Sequence, residues 1–236
     1  MPERAERKAF TEELNALSEN MVTIADLAKL AIRKAIESLE RGKTGEADAV
    51  FTLDQEIYAL KQQITAKCIE IIALHAPVAR DLRTITASLE ITTDLDRIGR
   101  YARDIAEIAR ELPADQLDEV QRLGKLSEMG ELTLEMIDHA TDAFLHRDAQ
   151  PVRNMIQEDD AVDSLHDTIF REIVQRMGDR SLRPETGAQL ILINRYFERL
   201  ADHAVNIGDH VAYMMTGERL TRVKRPKAGM PVGLSF

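Results

Sequence analysis

The second half of this chain repeats the first. At a constant offset of 105 residues, Leu39, Phe51, Asp54, Ile57, Leu60 and Ile64 correspond to Phe144, Ile156, Asp159, Val162, Leu165 and Ile169. Further along the offset becomes 102: Asp96-Arg97-Ile98-Gly99-Arg100-Tyr101-Ala102 faces Glu198-Arg199-Leu200-Ala201-Asp202-His203-Ala204, and Ile105 faces Ile207. Core-type positions match core-type positions, so whatever interior the first half builds, the second half builds again. Two copies of one unit in tandem have long flanks that favour side-by-side packing or dimerisation.

The unit is helical. Phe10, Leu14, Leu17, Met21, Ile24, Ala28, Ala31, Ala35 and Leu39 fall at alternating steps of three and four, the apolar stripe of one long amphipathic helix, which Gly42 and Gly45 are expected to end. The spacing predicts a second helix from about Asp48 to His75 and a third from about Pro77 to Arg110, the proline sitting where a helix can begin. Leu112-Pro113-Ala114-Asp115 breaks the pattern, and three more helices are predicted at about Gln116 to Arg147, Ala149 to Met177 and Pro184 to Thr216. No stretch alternates like a strand. With 4% aromatic residues and no Trp, the core falls to Leu, Ile, Val, Ala and Met, which suits helix-on-helix packing. The expected fold is all-α: two tandem, similar three-helix bundles over residues 1–112 and 113–217, then a loose tail over 218–236.

Charge removes one class of partner. Lys+Arg number 31 against 41 Asp+Glu, a net charge of −10, and such a field repels phosphate backbones, so no nucleic acid is expected. The single cysteine, Cys68, has no partner for an intramolecular disulfide and reads as a buried small hydrophobe. The charged start, Met1 to Lys8, carries no apolar leader core, and the longest apolar runs, Ile69 to Leu74 and Leu190 to Ile193, are far short of the ~18 residues of a membrane span. The reading is a cytoplasmic protein whose membrane contacts are peripheral.

The chemistry-bearing residues are carboxylates in the second half. Asp159 with Asp163, and Glu198 with Asp202, place two acids four residues apart, about 40° apart on one helix face, so each pair can act as one jaw. Asp209 returns to nearly the stripe of Glu198 and Asp202, and His166 to that of Asp159 and Asp163. With Asp160, up to seven ligands converge if the two helices are neighbours. Clustered carboxylates with an occasional imidazole attract cations such as Fe, Mn, Mg or Zn. The Glu-x-x-His pairs of a ferritin-like di-iron enzyme are missing, as are a phosphate-binding glycine loop, a nucleophile elbow and a zinc-spaced Cys/His set. His203 and His210, seven apart, share a face, as do His139 and His146, and all four read as surface or packing residues.

The doubled block, Asp94-Leu95-Asp96-Arg97-Ile98-Gly99 and Glu198-Arg199-Leu200-Ala201-Asp202-His203-Ala204-Val205-Asn206-Ile207-Gly208-Asp209, resembles the PhoU family of phosphate-signalling regulators. Pro77-Val78-Ala79-Arg80-Asp81-Leu82-Arg83 and Tyr213-Met214-Met215-Thr216-Gly217-Glu218 are similar to that family too, and the resemblance runs from about Phe10 to Gly217. It implies a regulatory, non-catalytic role in damping the phosphate-starvation response, with the high-affinity phosphate ABC transporter and a sensor histidine kinase as partners, peripheral membrane association through them, and a homodimer. It also implies multinuclear iron or zinc clusters on paired E(D)-x-x-x-D motifs, matched here by Asp159, Asp163, Glu198 and Asp202. Two alternatives stand beside it: a regulator of a low-affinity phosphate carrier, and a metal-dependent hydrolase on the carboxylate cluster.

The first bundle departs from the pattern, because Tyr58 and Arg100 stand where the second acid of each motif belongs. Arg100, one turn from Asp96, is placed to form a salt bridge there, the electrostatic opposite of a cation site. Metal is therefore expected in the second bundle only, or not at all, with Asp54, Asp94 and Asp96 leaving at most a weak site. Arg219, Arg222, Lys224, Arg225 and Lys227 form an acid-free basic run at the start of the tail, read as solubilising or as a contact for an anionic surface.

Overall fold

The computed structural model describes residues 2–41, 44–113 and 125–219. Among them are six α-helices and no strand: α1 (Pro2–Arg41), α2 (Thr44–His75), α3 (Ala79–Glu111), α4 (Lys125–His146), α5 (Met155–Gly178) and α6 (Pro184–Thr216). The repeat plan is the one the sequence implies. α1, α2 and α3 pack on one another, and so do α4, α5 and α6, giving two tandem three-helix bundles. Each helix turns its stripe inward: Leu17, Ile24, Ile32 and Leu39 of α1 are buried against Ile57, Ile64 and Cys68 of α2 and Leu95, Ile98 and Ile105 of α3. In the second bundle Val162, Ile169 and Ile173 of α5 and Phe197, Leu200 and Ile207 of α6 do the same.

The helix ends have local causes. Pro184 occupies the first turn of α6, after an extended Arg183, and Gly217 ends the helix with a left-handed φ of 81° while donating its N–H to the Tyr213 carbonyl at 2.8 Å. Ala76 (φ 43°) and Ala79 (φ 47°) make the α2–α3 reversal, so α3 begins at Ala79 and not at Pro77. Gly45 does not end α1: it lies in the first turn of α2, whereas Gly42 is outside the described residues. α5 starts later than predicted because Pro151, which has no N–H to donate, opens a separate 3-10 turn over Pro151–Asn154. The expected start of the fourth helix at Gln116 and the basic tail beyond Arg219 fall outside the described residues.

The bundles meet through their third helices. Arg83 Nε donates to the Met214 carbonyl at 3.4 Å, Asp94 meets His203, and Tyr101 packs on Tyr196 with ring centroids 5.7 Å apart. Numbers rise on α3 as they fall on α6, so the two run antiparallel along much of their length. A second joint, between α1 and α4, holds Lys29 Nζ 2.6 Å from Asp138 and Ser127 Oγ 2.8 Å from Glu40. Within the first bundle α2 and α3 approach closely at Gly99, where an added Cβ would lie 2.8 Å from Ile57 Cδ1. The equivalent positions in the second bundle are Val162 and Ala201, both buried, so one carbon has moved from one helix to the other. No helix among the described residues is long and apolar enough to cross a membrane.

Candidate functional site

The acids expected to bind metal lie on neighbouring helices, α5 and α6, but they do not come together as one cage. Glu198 is buried, at 4% exposure, and is taken by Arg195 of its own helix, with His166 Nδ1 of α5 4.0 Å away. Asp202 is half-buried and 3.6 Å from Arg199. Asp209 pairs at 2.7 Å with Arg219, whose guanidinium also lies over the Tyr213 ring. On α5, Asp159 is half-buried and Asp163 is exposed. Eleven residues separate Glu198 from Asp209, about 16 Å of helix rise, so one ion cannot bridge both. Among the described residues no three His, Cys, Asp or Glu side chains are placed to hold a metal ion.

A cation already sits among these acids. Arg195 grips Glu198, and its pKa is lowered by burial and by Arg199 against the opposing pull of Asp202, Tyr101 and Asp163. So Asp163 and Asp202 act electrostatically on the guanidinium that pairs with Glu198, and its single charge offsets part of theirs. The donors are of the right kind for iron or zinc, and an ion held there needs Arg195 to move aside.

The first bundle answers the same problem differently. Asp96, 3% exposed, accepts from Lys61 Nζ at 2.8 Å and lies 3.5 Å from Arg100 Nε, the salt bridge its spacing predicts. Asp54 is buried and 3.3 Å from Arg103 Nη1, and Arg100 lies over the Tyr58 ring, 5.7 Å from its centroid. Asp54 and Asp96 each keep one buried Oδ1 with no hydrogen-bond partner. This donor set does not fit a metal cluster: two acids remain, and three basic side chains surround them.

Asp94 belongs to neither seam. Two residues from Asp96, it points about 200° away around α3 and into the contact with α6. There Asp94 Oδ1 meets His203 Nδ1 at 2.7 Å and accepts from Asn206 Nδ2 at 3.3 Å, and Oδ2 lies 3.4 Å from His210 Nε2. Burial would raise the Asp94 pKa, but the hydrogen bonds from His203, His210 and Asn206 outweigh it and hold the carboxyl below its usual value. This inter-bundle clamp was not anticipated. The signal for it was the face shared by His203 and His210, which read as surface or packing residues in the absence of a known neighbour. Cys68 is buried as expected, and burial pushes its thiol up to about 11.

Two three-helix repeats joined through antiparallel third helices, each with polar residues along the seam between its second and third helix, define a tandem-repeat helical class. The PhoU domain matches the chain twice, over residues 21–109 and 126–211, one match to each bundle, and the chain belongs to this family. The phosphate-specific transport system accessory protein PhoU homolog 2 of Mycobacterium bovis is 30% identical over 211 residues, covering 89% of this chain and 98% of that one. Homolog 1 of the same organism is 31% identical, over 89% of this chain and 95% of its own. The solved structure of the phosphate transport system regulatory protein PhoU from Streptococcus pneumoniae superposes with a TM-score of 0.83 at 28% identity, covering 90% of this chain and all of that one. PhoU from Pseudomonas aeruginosa gives 0.80 at 28% identity, over 89% of this chain.

Proposed function

We propose that this chain is a non-catalytic, cytoplasmic accessory regulator of phosphate uptake and phosphate-starvation signalling, acting as a homodimer on a phosphate ABC transporter and its sensor histidine kinase. The observation that carries the reading is the double PhoU match, which takes in both bundles. The relatives' names, accessory protein and regulatory protein of phosphate transport, support the regulatory half of it. The test is co-purification of the full chain with membrane extracts of its host, with a phosphate-responsive reporter read in parallel after deletion. The transporter ATPase and the kinase are expected in the eluate and the reporter is expected to escape phosphate repression. A low-affinity carrier in their place, with the reporter unmoved, would overturn the assignment of partners, and phosphoester turnover by the metal-loaded chain would overturn the non-catalytic part.

The second bundle is the place for a metal cluster, iron or zinc, on Asp159, Asp163, Glu198 and Asp202, with His166 and Asp209 at its margins. What favours this is that Asp163 and Asp202 both act electrostatically on Arg195, the partner of Glu198, on a face where Arg199 also meets Asp202. Bound metal would supply positive charge to that face and cross-link α5 to α6. Elemental analysis of untagged protein should find metal that the Asp159→Asn/Asp202→Asn double variant loses; equal content in the two would sink the assignment.

A further inference from the structure

The seam between α2 and α3 pairs residues in a fixed register: Asp54 with Arg103, Tyr58 with Arg100, Lys61 with Asp96. The offsets of the repeat carry these positions onto Asp159 with Val205, Asp163 with Asp202, and His166 with Glu198. Every position that is basic in the first repeat is therefore neutral, acidic or an imidazole in the second. We propose that Lys61, Arg100 and Arg103 are the built-in counter-ions of the first repeat, standing where a bound cation would stand and closing its α2–α3 seam to metal.

Three observations support this. The two acids of the seam are buried, each with one oxygen that has no hydrogen-bond partner, so their charge is compensated by these three side chains and not by a hydrogen-bonded shell. Two of the cations have a further partner: Arg103 is also held at 2.9 Å by Asp104, and Arg100 lies over the Tyr58 ring, 5.7 Å from its centroid. A divalent ion entering at Asp96 would have to displace an ammonium at 2.8 Å and meet a guanidinium at 3.5 Å, and one entering at Asp54 would meet a guanidinium at 3.3 Å. The consequence that metal in this chain is confined to the second repeat rests on the metal reading above; the closure of the first repeat does not.

The test exchanges the seam. In an Asp159→Asn/Asp202→Asn background, the full chain is given the second repeat's residues through Tyr58→Asp, Lys61→His, Arg100→Asp and Arg103→Val, and Zn2+ and Fe2+ uptake is measured by equilibrium dialysis with folding followed by circular dichroism. The background alone should bind no metal above the blank, and the exchanged chain should bind it. Metal in the background that Asp54→Asn/Asp96→Asn removes, or a folded exchanged chain that takes up none, would overturn the proposal. A second measurement needs no metal: Arg103→Met should shift the unfolding equilibrium about 10- to 100-fold toward the unfolded state, and adding Asp54→Asn should restore most of it. Absence of that coupling would also overturn it. If the wild-type chain binds no metal at all, the second-repeat reading fails, while the exchange and the coupling still decide the first.

Discussion

In the first repeat α3 sets Arg103, Arg100 and Asp96 opposite Asp54, Tyr58 and Lys61 of α2, whereas in the second the repeat offsets assign these positions to Val205, Asp202 and Glu198 of α6 and to Asp159, Asp163 and His166 of α5, with His166 Nδ1 4.0 Å from Glu198. The apolar faces beneath have hardly diverged: Ile57, Ile64 and Ile98 are matched by Val162, Ile169 and Leu200, all fully buried. At the close approach Ile57 and Gly99 correspond to Val162 and Ala201, the same number of side-chain carbons distributed differently. A close-packed interior fixes volume at every position, while a half-exposed seam fixes only that its charges balance. The first repeat balances them with cations inside the register. The second pairs Glu198 with Arg195, whose counterpart in the first repeat is Thr93, so this counter-ion comes from outside the register.

The joint between the repeats offers the sharpest test of how far their equivalence goes. Asp94–His203 and Tyr196–Tyr101 are the same contact under the repeat offset, one ionic and one aromatic. His203→Leu should therefore cost about 3 kcal/mol, because it strips a buried carboxylate of its shortest contact, and Asp94→Leu in the same chain should recover much of it. Urea unfolding would read both, and a cost below about 1 kcal/mol would mean the two contacts are interchangeable packing. The pH dependence has a definite sign. With its folded pKa lowered, Asp94 contributes stability that is complete above the ordinary carboxyl value of about 4 and is lost as pH falls through the folded one. Asp94→Asn should lower stability at about pH 6 and reduce the loss seen as pH falls below the ordinary carboxyl value of about 4.

The close approach comes next in size. Gly99→Ala places a carbon 2.8 Å from Ile57 Cδ1 and should destabilise by about 2 kcal/mol. Ile57→Val alone costs about 1 kcal/mol, yet in combination with Gly99→Ala it recreates the second repeat's pair, and the double variant should be more stable than Gly99→Ala by itself. A double variant at the sum of the two single losses would show that the repeats do not share one packing solution. Chelator treatment tests the same contrast electrostatically, with α5 and α6 expected to respond if the proposed second-repeat metal is bound and the first repeat expected not to.

How much of this could be read beforehand follows from what a helical sequence encodes. Periodicity reports which face of a helix is buried, so the stripes from Leu17 to Leu39, the duplicated core and the bounds of α6 at Pro184 and Thr216 were all legible. Contacts one turn apart were legible too, and Arg100 lies on Asp96 as its spacing implies. Contacts between helices distant in sequence were not. Nothing in the spacing says that Asp94 faces α6 while Asp96 faces α2, although their 200° separation on α3 requires that they diverge. The insertion of Arg195 among the acids was missed for a related reason. A pattern of carboxylates at i and i+4 shows which groups share a face, and the counter-ion that settles among them sits three residues from Glu198, outside the motif.

The smallest effect is expected where the two repeats carry the same residue. Arg97 and Arg199 are equivalent, and in the second repeat Arg199 reaches Asp202 at 3.6 Å with side chains 44% and 38% exposed. Such a pair holds two long side chains in one arrangement for little Coulomb gain, so Arg199→Met should cost less than about 1 kcal/mol and nothing measurable in about 1 M salt, where screening acts within about 3 Å. Lys61 and Asp96, at 2.8 Å and with exposures of 22% and 4%, are the opposite case. Lys61→Met should cost about 2 kcal/mol, moderated because Arg100 still faces the acid, and should keep most of that cost in salt. Denaturation of the two variants at low and high salt therefore ranks the seams directly: equal costs and equal screening would mean that the first repeat's charges are surface decoration, and the claim that they replace a cation would have lost its footing.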